Sequence, residues 1–236
     1  MKNMMKKLFA VLFAALYVFS FTSCASKDDE EDYDYDYTED ESLYINDIAP
    51  VSTDDFLADI GPVDLDPVYF LRKKGKKVVP REVTKIALVP RTNAVEMHFR
   101  DGPNEVAIIL RKGERDTILA ACNTFLQQYE AKTLPHTKIN RKNAYFNSRC
   151  SLWYGVLSPS NGCEKNRYYM ICEFINKKPY LLMRFVPTED TAGMQDFTPK
   201  ISLYMSPSQI RDFVEAMDQK HLESLIEESK QKAYTY

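Results

Sequence analysis

Residues 106–122, VAIILRKGERDTILAAC, and residues 201–217, ISLYMSPSQIRDFVEAM, decide the fold class. Each is an apolar strand-like run leading directly into a segment whose apolar residues recur at helical spacing. Ile118 and Leu119 fall where Phe213 and Val214 do, and Cys122 falls where Met217 does. Ser206, Pro207 and Gln209 start the second helix: serine as N-cap, proline in the first turn and glutamine three residues after the cap form a capping box. Each run is preceded by another apolar strand candidate, 95–99 in one case and 180–186 in the other. The match suggests a duplicated meander-plus-helix unit, with halves at 80–133 and 145–230; a coincidental resemblance of two strand-to-helix segments is the alternative.

Working outward, Val95, Met97 and Phe99 alternate with Glu96, His98 and Arg100, the period of a half-buried strand. Strands are expected at 83–89, 95–99, 106–110, 152–157, 168–175, 180–186 and 201–205, and helices at 114–131 and from 207 onward. Asp101-Gly102-Pro103-Asn104, the stretch 158–162 and Asn176-Lys177-Lys178-Pro179 supply turns. Thr53-Asp54-Asp55-Phe56 suggests one short helical turn. Strands joined by short turns pair antiparallel, and two amphipathic helices must bury their apolar stripes against them. The class is α+β, with an antiparallel sheet of six to seven strands. The 180–186 run is apolar on both faces, so part of the sheet is covered twice.

The N-terminus follows different rules. Lys2, Lys6 and Lys7 precede an apolar stretch from Leu8 to Phe21, and Thr22, Ser23 and Cys24 follow. As a helix that stretch spans about 21 Å, short of a hydrocarbon core about 30 Å thick. It fits a secretory h-region better than a permanent span. Phe21-Thr22-Ser23-Cys24 resembles the lipobox of the bacterial lipoprotein class, although Phe21 stands where leucine is most common. The resemblance covers residues 1–24. It implies cleavage before Cys24, a lipid thioether on its sulfur, acylation of the new N-terminus, and a membrane as partner through the anchor. An ordinary signal peptide, cleaved at a small-x-small site nearby, is the plainer alternative.

Residues 28–41 carry ten acids punctuated by Tyr33, Tyr35 and Tyr37. Such a run repels itself and cannot offset its ordering entropy, so residues 24–44 are expected to be a lipidated, extended tether and 45–236 one folded domain. Asp32, Asp34 and Asp36 mimic the opening of a calcium loop. The pattern then fails, with Tyr37 in place of glycine and Leu43 in place of glutamate. From residue 43 onward 27 basic residues face 24 acidic ones, although the whole chain is at −3. Arg72, Lys73, Lys74, Lys76 and Lys77 cluster around Gly75. They read either as a solubilising loop or as a contact for an anionic surface: lipid headgroups, lipopolysaccharide or the chain's own acidic run.

Catalytic signatures are sparse. His98, His136 and His221 have no metal-ligand spacing, and no HExxH, GxSxG, Walker or dinucleotide glycine pattern occurs. Only 7 glycines are present, few for a phosphate-cradling enzyme. No cofactor and no metal are expected. Cys122 reads as core. Cys150 and Cys172 would face each other if the 151–175 hairpin turned near Asn161, which makes them the best disulfide pair in an oxidising compartment; free buried thiols are the alternative. Trp153, Tyr154, Tyr168, Tyr169, Tyr180 and Tyr204 are either core or a platform for a sugar or a partner protein.

These readings converge on an exported lipoprotein, on the periplasmic face or the cell surface, with a non-catalytic binding or structural domain. Another envelope protein or a glycan is the expected partner, and nucleic acid is not. An envelope hydrolase or carbohydrate-processing protein with an unrecognised carboxylate pair is the alternative.

Overall fold

The computed structural model describes residues 44–45, 60–81, 83–191 and 196–234. Cys24, the acidic run and the expected turn at 53–56 lie outside the described residues. Eleven strands form one sheet. They are β1 (Tyr44–Ile45), β2 (Val63–Asp64), β3 (Phe70–Lys74), β4 (Lys77–Arg81), β5 (Val83–Val89), β6 (Ala94–Asp101), β7 (Asn104–Leu110), β8 (Phe146–Gly155), β9 (Asn161–Ile175), β10 (Lys178–Phe185) and β11 (Ile201–Met205). Among the described residues three α-helices accompany them: α1 (Lys112–Glu130), α2 (Pro207–Ala216) and α3 (Gln219–Tyr234). The class is α+β, as the alternation and helical spacing required.

The strand order is β2-β5-β6-β7-β8-β9-β10-β11-β3-β4, antiparallel along its length. β1 is the exception. It pairs parallel with β8, setting Tyr44 opposite Asn147 and Ile45 opposite Ser148, on the half of β8 that β7 does not reach. All seven expected strands form, and β1 to β4 are added to them. β3 and β4 correct the sequence reading: the basic stretch is a strand–turn–strand instead of a loop, because Phe70, Leu71, Val78 and Val79 give it two short apolar flanks.

One face of the sheet packs against α1, α2 and α3. Val106, Ile108 and Leu110 of β7, Ile201, Leu203 and Met205 of β11, Ile118, Cys122 and Phe125 of α1, and Ile210 and Phe213 of α2 are buried together. The capping box forms as the sequence demands, with Ser206 accepting from the Gln209 N–H and the Gln209 side chain reaching back. Opposite the helices lies a smaller cluster of Tyr169, Ile171, Ile175, Tyr180, Leu182 and Tyr204, with Ile139 and Ala144 from the α1–β8 connection packed on it. β9 and β10 are thus apolar on both faces because both are covered. Of the six aromatics singled out, only Trp153 is even half-exposed; the rest are core. Among the described residues no helix is long and apolar enough to cross a membrane.

The β8–β9 register overturns the expected disulfide. The turn occupies the residues between Gly155 and Asn161, and Glu164 and Lys165 bulge opposite Ser151, so Cys150 faces Asn166 and Cys172 faces Leu181 of β10. Six residues of β9 separate Asn166 from Cys172, about 20 Å, far beyond the roughly 7 Å limit between bridged Cα atoms. Cys122, Cys150, Cys163 and Cys172 are all free and buried. Burial pushes the Cys122 and Cys172 thiols up to about 12, so neither is a reactive thiolate at neutral pH.

Candidate functional site

Five cations of the β3–β4 hairpin drew attention in the sequence, and the fold adds two more from a hundred residues away. In β3–β4, Lys74 stands opposite Lys77 and closes a two-residue turn made by Gly75 and Lys76. Gly75, at φ +58°, occupies the first central position, where a tight hairpin of this kind needs a left-handed backbone that glycine adopts without penalty. In β9–β10, Lys178 stands opposite Ile175 and closes a turn of Asn176 and Lys177, at φ +50° and +65°, the pattern of a type I′ hairpin. The Asn176 side-chain amide donates to the Lys76 carbonyl at 2.6 Å and ties one turn to the other.

The result is one basic end of the sheet carrying Arg72, Lys73, Lys74, Lys76, Lys77, Lys177 and Lys178, all exposed. Lys73 reaches back to the buried Glu173 at 3.1 Å. Glu173 also accepts the Tyr204 hydroxyl at 2.9 Å, and Arg184 donates to the Tyr169 hydroxyl at 3.4 Å. This polar network sits within the second apolar cluster, where burial raises the Tyr204 hydroxyl first and Glu173 raises it further. It fixes the root of the basic end while the tips stay in water. Lys74, Lys76, Lys77, Lys177 and Lys178 form no ion pair with any described residue. The direct Lys74–Lys77 pairing places like charges across the strands, a repulsive arrangement of up to about 1 kcal/mol.

β4 is also the outer strand of the sheet. Its Lys77 and Pro80 discourage another strand from adding to that edge.

The remaining candidates do not gather into a reaction centre. His98 contacts Glu96 at 3.5 Å and lowers that carboxyl's pKa, His136 stacks on Phe174 at 3.8 Å between ring centroids, and His221 is exposed on α3. Among the described residues no three His, Cys, Asp or Glu side chains group as a metal site. At the opposite end of the 15-residue β9, the β8–β9 turn exposes Val156 and Leu157, the latter 92% exposed. Beside it the stretch after β10 is pinned by Asp190, which accepts from the Tyr154 hydroxyl and the Gly162 N–H at 3.0 Å each. Burial and that carboxylate push the Tyr154 hydroxyl up to about 12.

Sequence reasoning found the five cations of β3–β4 and missed Lys177 and Lys178, which it had assigned to a turn. The signal available was two lysine-bearing turns of the two-residue type; their meeting depends on β3 being laid beside β11 through the Leu71–Tyr204 bridge.

Known proteins place the chain in a sequence family. A Treponema pallidum (strain Nichols) protein described as "Uncharacterized protein" is 24% identical over 172 residues, covering 71% of this chain and 60% of that one. The chain thus spans less than two thirds of that relative's length. No solved structure matches. A family model described as "Uncharacterised Treponema protein" matches residues 62–224, from β2 into α3 and well over half the chain, and the chain belongs to that family.

Proposed function

We propose that the chain is an exported lipoprotein, held to a bacterial membrane through lipid on Cys24, whose α+β domain binds an anionic partner without catalysis. The anchor rests on Lys2, Lys6 and Lys7, the apolar run Leu8 to Phe21 and the lipobox-like Phe21-Thr22-Ser23-Cys24. More than one acyl chain gives stable attachment, at about 0.8 kcal/mol per buried methylene. The single observation that carries the binding role is the union of two lysine-bearing turns by the Asn176–Lys76 hydrogen bond. Like charges held side by side, with no ion pair to any described residue, have a stability cost, which favours a role for them at the surface.

Replacing the thiol tests the anchor. Cys24→Ser is expected to move the protein from the detergent phase to the aqueous phase on phase partitioning, and intact mass of the wild-type mature chain should begin at a lipidated residue 24. A bare residue 24, or unchanged partitioning of the variant, overturns the reading.

A further inference from the structure

We infer that the joined tips dock the domain end-on against anionic phospholipid headgroups of the bilayer that carries its anchor; the inference rests on the lipoprotein reading above. Four features of the site favour a lipid surface. Six of the seven cations are lysines, whose ammonium groups act as hydrated point charges, suited to a diffuse layer of phosphates more than to bidentate capture of a single anion. They lie on two turns and on the strand ends that run into them, all exposed, so a broad surface can approach that end of the sheet. Their backbones are held in advance by the Asn176–Lys76 bond and the Lys73–Glu173 pair, so little conformational freedom is lost on contact. Finally, the Lys74–Lys77 repulsion is relieved when phosphates come between the two ammonium groups.

Reach is compatible. The 20 residues from Cys24 to Tyr44 span at most about 70 Å, more than enough for the basic end to return to the membrane surface. Docking in this manner has a direction. The β9–β10 turn lies against the headgroups, and the Val156–Leu157 turn stands on the order of 45 Å away along β9. Each lysine close to an anionic surface contributes about fivefold to the docking equilibrium.

The test uses the lipidated mature protein on vesicles of phosphatidylcholine alone or mixed with phosphatidylglycerol. A fluorophore is attached through Lys76→Cys or, in a second variant, Leu157→Cys, and read against a headgroup-linked quencher. Flotation with neutral vesicles reads the anchor alone. Quenching on mixed vesicles reads the docking. The expected result is flotation on both vesicle types, with strong quenching at position 76 only when phosphatidylglycerol is present, and little at 157 on either. Combining Lys76→Cys with Lys74→Gln, Lys177→Gln and Lys178→Gln should cut the docking equilibrium by about a hundredfold and abolish the difference between vesicle types. These side chains are exposed, and an unchanged circular dichroism spectrum checks that the fold persists. Equal quenching at 76 on the two vesicle types, quenching unaltered by the glutamines, or stronger quenching at 157 overturns the inference while leaving the anchor standing. Failure to float on neutral vesicles removes the anchor and the inference together.

Discussion

The two halves of the domain share one backbone plan and differ in how they secure it. β5, β6, β7 and α1 form the first unit; β9, β10, β11 and α2 form the second, and in each three neighbouring strands run into a helix. The last strands end at Leu110 and Met205, and the helices begin at Lys112 and Pro207, the same step apart. Val106, Ile108, Leu110, Ile118 and Cys122 are buried, and so are their counterparts Ile201, Leu203, Met205, Phe213 and Met217. Between the helix start and those apolar positions the two diverge. The second unit has Ser206 as cap, Gln209 closing the box and Ile210 fully buried. The first has Arg111, Glu114 and Arg115 in those places. Arg115 is 1% exposed and donates to the Asn93 carbonyl at 2.5 Å, the Asn93 side chain at 2.8 Å, the Leu110 carbonyl at 3.0 Å and the Gln219 side chain at 2.7 Å. Gln219 opens α3, so this guanidinium ties the start of α1 to the helix that follows α2. Alternating apolar positions set the strand-to-helix path; the residue at the first helical turn is free to be apolar or ionic, provided its surroundings match.

That comparison breaks first if the two residues are exchanged. Ile210→Arg places a guanidinium at a site that is 0% exposed and lined by core side chains, and should destabilise by about 4 kcal/mol or prevent folding. Arg115→Ile is the milder direction. Burial lowers the Arg115 pKa to about 10, still well above neutrality, so at pH 7 a cation is lost from four acceptors. Leaving them unsatisfied should cost about 3 kcal/mol, read as a fall in the urea midpoint. Loss of less than about 0.5 kcal/mol in Arg115→Ile would mean that the ionic junction is interchangeable with the apolar one.

The same contrast explains what could be read from the chain. α1, the start of α2 and seven central strands were legible because apolar periodicity and a capping box are local signals, and the β5 and β11 boundaries coincide with the apolar runs that mark them; the single helix expected from 207 onward is instead two, α2 and α3, parted at Met217 and Asp218. β3 and β4 were hidden because five cations in six positions outweigh two-residue apolar flanks; Gly75 was the remaining cue. The Cys150–Cys172 pairing failed on a bulge, since one extra residue between Cys163 and Asn166 and an earlier turn displace every partner. The basic end was half visible. Lys177 and Lys178 join it only through the Asn176–Lys76 contact across 100 residues, which no local pattern encodes. β1 pairing on β8 is equally non-local: it needs β7 to stop short of Cys150.

A smaller effect is expected at the caps. Ser206→Ala removes the side chain that accepts from Gln209 N–H, and should cost about 1 kcal/mol of stability. α1 has no side-chain hydrogen bond from its N-cap, Arg111, and so offers nothing comparable to lose. If chemical denaturation of Ser206→Ala matches the wild type, the tertiary packing of Ile210 and Phe213 suffices to start α2, and the capping box is redundant there.

The smallest expected effect sits at Glu114, which takes the place of Gln209 in the first unit. The residue is 8% exposed, its Oε2 has no hydrogen-bond partner among the described residues, and its Oε1 lies 3.7 Å from Arg111. Burial raises its pKa, opposed by Arg111 and by backbone N–H groups. A carboxyl whose folded pKa exceeds its unfolded value binds its proton more tightly in the native state. Its contribution to stability is therefore full below the usual value of 4.5 and is lost as pH rises through the folded pKa. Glu114→Gln keeps the shape, borrows the second unit's residue and removes the buried charge. It should gain about 0.5 kcal/mol at pH 7 and nothing at pH 4, as measured by urea midpoints of both proteins across that range. A loss at pH 7 in place of the gain would show that the Arg111–Glu114 attraction outweighs desolvation, and that the first unit's ionic helix start stabilises it as much as the capping box does the second.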